Sequence, residues 1–189
     1  MNSDIPDEPV IFLKPRSSLI FNGDEIKLPA SSKEVHHEVE MVLLVGKEAK
    51  DLSPEKSYEI IAACCVGLDI TARDLQSTAK KSGLPWSLAK GFDTFAPIGT
   101  WSPVNKDLDL SNLDISVEVN GEIRQHGNTS DMIFPVNQII SYLSQRFTLF
   151  PGDLIFTGTP EGVSQILSGD FISATLGNGL SSLSTHVSD

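Results

Sequence analysis

The stretch His37-Glu38-Val39-Glu40-Met41-Val42-Leu43-Leu44-Val45-Gly46 alternates with a period of two, the signature of a β-strand. In that register Val39, Met41, Leu43 and Val45 share one face, and Glu38, Glu40, Val42 and Leu44 share the other. The two glutamate Cα atoms are then ~6.5 Å apart, within reach of a single cation. Alternating charge usually marks a solvated face. Here Val42 and Leu44 continue the glutamate face as apolar residues, which reads as burial. Buried paired carboxylates repel each other unless a cation lies between them, so the pattern favours a metal. His36 and His37 face opposite sides, and His37, pointing away from the glutamates, reads as a core or interface residue before a ligand.

Outward from this strand, Pro9 to Pro15 encloses Val-Ile-Phe-Leu-Lys, a short strand between prolines. Leu19 to Phe21 and Glu25 to Leu28 flank Asn22-Gly23-Asp24 as a hairpin. Ser53-Pro54 starts a helix running through Ile60 toward Ala63. Cys65 to Ile70 follows as a strand, and Ala72 to Ser82 as a helix stopped by Gly83 and Pro85. Leu113 to Val119 and Glu122 to Gln125 join at Asn120-Gly121, the strongest hairpin signal in the chain. Val136, Ile139, Ile140 and Leu143 are spaced as one amphipathic helix. Strand Leu154 to Phe156, the loop Gly158 to Gly162 and two short strands complete a single α+β domain over residues 1–189, dominated by antiparallel strands.

Composition narrows the function classes. With 40% hydrophobic and 21% charged residues, the chain is globular and not disordered. Its formal net charge of −11 argues against duplex nucleic acid and anionic membranes as partners. The longest apolar run, Ile60 to Leu68, is far shorter than the roughly 20 residues of a membrane helix. No basic start followed by an apolar segment suggests secretion. The only two cysteines, Cys64 and Cys65, are adjacent and read as buried thiols in a reducing cytoplasm.

Further residues carry possible chemistry. Asp69 follows a strand and precedes a helix, where a turn or N-cap aspartate is common. Arg73 and Gln76 share a helix face beside it and could orient a carboxylate, although such residues are usually just solvated. Lys90, between an irregular stretch and Gly91-Phe92, suits a partly buried ammonium stabilising an enolate or oxyanion, or equally a surface lysine. Thr157-Gly158-Thr159-Pro160 offers hydroxyls and backbone N–H groups at a strand end, an anion loop or simply a turn. His126 and His186 have no evident partner, and no nucleophile elbow, P-loop or dinucleotide fingerprint occurs.

Taken together these segments resemble the fumarylacetoacetate hydrolase family, in particular its short acylpyruvase-like and hydroxymuconate isomerase-like members. The match runs in order through Pro9-Val-Ile-Phe-Leu-Lys-Pro15, His36-His37-Glu38-Val39-Glu40 and Leu68-Asp69-Ile70-Thr71-Ala72-Arg73-Asp74-Leu75-Gln76. It continues through Lys90-Gly91-Phe92-Asp93-Thr94-Phe95 and from Pro151-Gly152-Asp153 to Thr157-Gly158-Thr159-Pro160-Glu161-Gly162. The resemblance implies a mixed β-sandwich roll, a homodimer and a bound Mg²⁺ or Mn²⁺. It implies Glu38, Glu40 and Asp69 as metal ligands, Arg73, Gln76 and Thr159 as substrate contacts, and Lys90 as a further substrate contact and catalytic residue. The implied substrates are small 2-oxo or 2,4-dioxo acids such as acylpyruvates, fumarylpyruvate and oxaloacetate, processed by hydrolysis, isomerisation or decarboxylation.

The chain departs from its kin at the start. Related proteins carry His-x-x-Glu on a lid helix, preceded by a strand, just ahead of the segment where Met1 lies. Met1 to Pro6 aligns with the end of that lid, without the dyad. The expectation is that Met1 is an internal methionine of a longer protein and that strand Val10 to Leu13 lacks a neighbour. A non-catalytic relative that binds metal and oxo-acid is the alternative to an enzyme.

Overall fold

The computed structural model describes residues 6–189, so the expected lid remnant, Met1 to Pro6, lies outside the described residues but for Pro6. Among the described residues, fourteen strands form three sheets. The first has the order β1 (Leu19–Phe21), β7 (Ala96–Ile98), β5 (Ile61–Leu68), β4 (Val39–Val45) and β11 (Leu154–Phe156), with β8 (Ser102–Pro103) also paired to β5. The second has the order β10 (Glu122–Asn128), β9 (Asp114–Val119), β13 (Phe171–Leu176), β14 (Ser181–Ser188) and β2 (Glu25–Lys27). A small third sheet joins β12 (Ser164–Gln165), β3 (Val35–His37) and β6 (Thr71–Ala72). Three helices are used below: α1 (Arg73–Ser82), α2 (Ser87–Lys90) and α3 (Val136–Arg146). The architecture is the expected α+β mixed β-sandwich roll.

β4 lies between β5 and β11 and is buried on both faces. Val39, Met41, Leu43 and Val45 enter the main core, while Val42 joins Cys65 and Ile98 in a second cluster. Fully burying such a side chain stabilises the fold by about 1.5–3 kcal/mol, so a one-residue slip in this register would be costly. Cys64 and Cys65 face opposite clusters as free buried thiols, and burial pushes them up to about 11 and about 12. The Asn120-Gly121 hairpin forms as expected, both residues taking positive φ (55° and 81°), the turn that matches strand twist.

Several expectations are corrected. Val10 to Lys14 makes no strand: prolines at both ends remove ladder donors, and the segment instead packs Phe12 against Trp86. Asn22-Gly23-Asp24 is a corner and not a hairpin, because β1 pairs in parallel with β7 and β2 in parallel with β14. The segment after Pro54 is a 3-10 turn ending at Ile60, and β5 already begins at Ile61, earlier than the Cys65 start expected. The long strand from His37 is broken at Glu38 into β3 and β4.

That break positions the site. The chain crosses from the third sheet to the first at Glu38, and crosses back at Asp69-Ile70, between β5 and β6. The two crossings lie side by side, with the Asp69 N–H donating to the Glu38 carbonyl at 2.8 Å.

Candidate metal centre

Glu38, Glu40 and Asp69 converge as the period-two reading requires. One carboxylate oxygen of each lies within 4.8 Å of the others, and all three residues are buried. Around them stand side chains from α1, α2 and the N-terminal segment. Lys90, at the end of α2 and buried, donates to Glu38 Oε2 at 2.8 Å, to Thr71 Oγ1 at 2.6 Å and to Asp69 Oδ2. All three ammonium hydrogens are therefore engaged. Arg73 donates to Glu38 Oε1 and, at 2.6 Å, to Gln76 Oε1. Helical spacing thus places Arg73 and Gln76 together, and both join the acid cluster instead of facing solvent.

The sequence reading missed Lys14, which it took for a strand end. Its ammonium donates to Asp69 Oδ1 at 2.6 Å and to the carbonyls of Ile70 and Lys90. Extended Pro9–Pro15 is what carries it there; no local signal marks a lysine that meets its partner 55 residues away.

The carboxylates differ electrostatically. Burial would raise Glu38, but the Lys90 and Arg73 charges outweigh it and hold this acid below its ordinary value. Burial would lower Lys90, yet Asp69 and Glu38 hold it above the usual lysine range. Burial dominates at Lys14 and depresses it despite Asp69. Glu40 makes no ion pair among the described residues and accepts the Gly158 N–H at 2.7 Å. Burial, then repulsion from Asp69 and Glu38, pushes it up to about 8. An all-oxygen, acid-rich set with one charge unanswered fits a hard divalent cation.

Thr159 follows the Gly158 that binds Glu40. With Glu40 and Lys14 it lines a cleft of about 1100 Å³, whose walls also include Phe12, Met132, Ile139 and Phe150. His37, buried as expected, touches Gln125 and Ser164 and not the acids.

The Fumarylacetoacetate (FAA) hydrolase C-terminal model matches residues 1–188. The chain belongs to the fumarylacetoacetate hydrolase family. It is 46% identical to a mitochondrial oxaloacetate tautomerase of Arabidopsis thaliana over 99% of this chain and 83% of that protein. It is 43% identical to a mitochondrial oxaloacetate decarboxylase of Dictyostelium discoideum, over 91% and 79% of the two chains. Among solved structures of the family, a fumarylpyruvate hydrolase from Pseudomonas aeruginosa in complex with Mn²⁺ and pyruvate superposes with a TM-score of 0.91. The identity is 37%, over 96% of this chain and 80% of that one. These fumarylacetoacetate hydrolase relatives are enzymes of oxo-acid chemistry, and one of them carries a divalent metal. No helix among the described residues is long and apolar enough to cross a membrane.

Proposed function

We propose that this chain is a divalent-metal-dependent enzyme acting on small 2-oxo or 2,4-dioxo acids, oxaloacetate and acylpyruvates among them. The observation that carries this reading is the buried carboxylate trio with Glu40 unanswered by any cationic side chain among the described residues. Glu38, Glu40 and Asp69 would hold Mg²⁺ or Mn²⁺, which supplies Lewis acidity toward a keto oxygen. Arg73 offers a planar fork for the substrate carboxylate, oriented by Gln76, and Thr159 contacts the substrate from the loop. Lys90 keeps a full positive charge where negative charge develops on the substrate oxygen, an oxyanion role. The apolar cleft walls suit an uncharged substrate tail such as that of an acylpyruvate. A homodimer belongs to the same proposal, supported by the family resemblance.

The test is a Mn²⁺ titration followed by electron paramagnetic resonance. Wild type should bind one ion tightly per chain, and Glu40→Ala none. Oxaloacetate, acetylpyruvate and fumarylpyruvate are then assayed with Mg²⁺ or Mn²⁺. Failure of wild type to bind Mn²⁺ would end the reading, and binding without turnover of any of these acids would replace it with a non-catalytic oxo-acid binder.

A further inference from the structure

Gln125 is a buried residue on a strand whose three preceding residues are exposed. The register of β10 against β9 shifts between Ile123 and Gln125, a bulge, and bulges re-aim side chains. This one turns Gln125 inward, between the start of β4 and the Thr159 loop. Backbone groups fix both ends of its amide. Oε1 accepts from Val39 N–H at 3.0 Å, and Nε2 donates to the Pro160 carbonyl at 2.8 Å. An N–H only donates and a carbonyl only accepts, so the orientation of the amide is determined.

Two consequences follow from that orientation. His37 Nδ1 lies 2.9 Å from Oε1 and must carry the ring proton, which leaves Nε2 to accept from Ser164 Oγ at 2.8 Å. Thr159 Oγ1 lies 2.8 Å from Nε2 and must accept, so its own hydrogen is left free for another partner. The loop is also seated closely on β10. A Cβ on Gly162, at φ +97°, would meet the Arg124 carbonyl oxygen at 2.2 Å, and one on Gly127 would meet Pro160 Cβ at 2.9 Å.

We propose that Gln125 is a positioning residue that clamps the Thr159 loop and sets the Thr159 hydroxyl as a hydrogen-bond donor toward a substrate carboxylate in the cleft. His37 supports it by fixing the amide from behind, and Val39 ties the same amide to the strand between Glu38 and Glu40. This rests on the proposed oxo-acid function. The cleft is then read for a carboxylate by an uncharged donor whose polarity is imposed from a neighbouring sheet.

The experiment compares Q125E, T159V and the double variant. Q125E keeps the acceptor for Val39 and His37 but replaces the donor by a second oxygen, which takes the Thr159 proton and turns hydroxyl lone pairs toward the substrate. KM for oxaloacetate should rise about tenfold or more, with kcat within about threefold, as for loss of a hydrogen bond to a charged group that is equal in ground and transition states. Mn²⁺ affinity should stay within about threefold of wild type, since no metal ligand is touched. If Gln125 acts through Thr159, adding Q125E to T159V should raise KM little further; additive effects would overturn the proposal. An unmoved KM, or a fall in kcat alone, would overturn it too.

Because a buried carboxylate can unfold the chain, Q125M, which removes the clamp without taking the Thr159 proton, is measured in parallel and should also raise KM, by less than Q125E; an unmoved KM in Q125M would overturn the proposal. Hydrogen exchange of the amides of residues 158–162, without metal or substrate, should be faster in both variants; unchanged protection would refute the clamp. Should wild type bind no Mn²⁺ or turn over no oxo-acid, the functional reading falls, and the exchange result alone then decides for or against the clamp.

Discussion

Glu38 receives an ammonium from Lys90 and a guanidinium from Arg73, whereas Glu40, two residues along the same chain, receives the backbone N–H of Gly158. The Glu38 side is built by α1 and α2, which supply fixed positive charge. The Glu40 side is built by the Gly158–Gly162 loop seated on β10, which supplies backbone dipoles and hydroxyls. Burial is nearly the same on both sides, so the partners decide. One acid is held below its ordinary value and the other is pushed up to about 8. Permanent countercharge thus stands at Glu38, and the place left short of positive charge is Glu40, the side to which the proposed function brings an exchangeable cation. The largest effects should come from breaking the saturated side.

Glu38→Ala removes the acid that answers one buried cation, Lys90, and one half-buried cation, Arg73. Lys90 keeps Asp69 and Thr71, but Arg73 keeps only uncharged partners, the Gln76 amide and the His36 ring. Breaking a buried ion pair on one side costs about 3–5 kcal/mol, and the metal-free variant should lose that much in urea unfolding. A loss below about 1 kcal/mol, as for exposed pairs, would show that the saturated side is not stabilised by this charge.

Lys90→Ala tests the same side through catalysis. With the Proposed function as frame, kcat on oxaloacetate should fall by about 10²-fold or more, the usual cost of one oxyanion contact. Its three hydrogens are engaged by Glu38, Asp69 and Thr71, so a contact to substrate would require Lys90 to exchange one of these bonds. A variant changed only in KM would assign Lys90 to uniform binding instead.

The two sides were not equally legible. Glu38, Glu40 and Asp69 could be found because a strand's period of two and a strand end are local signals, and α1 follows from one uninterrupted helical run. The Asn120-Gly121 turn was readable because both strands pair with each other across it. Asn22-Gly23-Asp24 carries a similar local signal, yet β1 and β2 find partners in β7 and β14, far away in sequence. The Ile60–Leu68 run reads as a helix end followed by a strand because no polar residue punctuates it, and its place between β4 and β7 makes Ile61–Leu68 a strand throughout. Lys14 and Gln125 escaped for the same reason as that corner. Each is an ordinary polar residue locally, and it acquires its role from an acid 55 residues on or a loop 34 residues on.

The smallest expected effect lies on the uncompensated side. With its acid pushed up to about 8, Glu40 is protonated at pH 7 when no cation is bound, so Glu40→Gln replaces one neutral hydrogen-bonding group by another. Gly158 N–H can donate to the new amide oxygen as it does to the carboxyl. Metal-free stability at pH 7 should therefore change by less than about 1 kcal/mol. The pH profile is the sharper readout. Between the ordinary value of 4.5 and about 8 the folded state binds a proton that the unfolded chain has released. Stability of the metal-free wild type must then fall as pH rises through that window and level off above it. Glu40→Gln should flatten that slope while leaving the rest of the profile in place. A cation must expel the same proton, so apparent Mn²⁺ affinity in wild type should weaken as pH drops below about 8, by up to about tenfold per unit. Urea unfolding at pH 6 and pH 8.5 separates the cases: equal slopes in wild type and variant would mean that Glu40 is charged without a metal, and the asymmetry between the two glutamates would be gone.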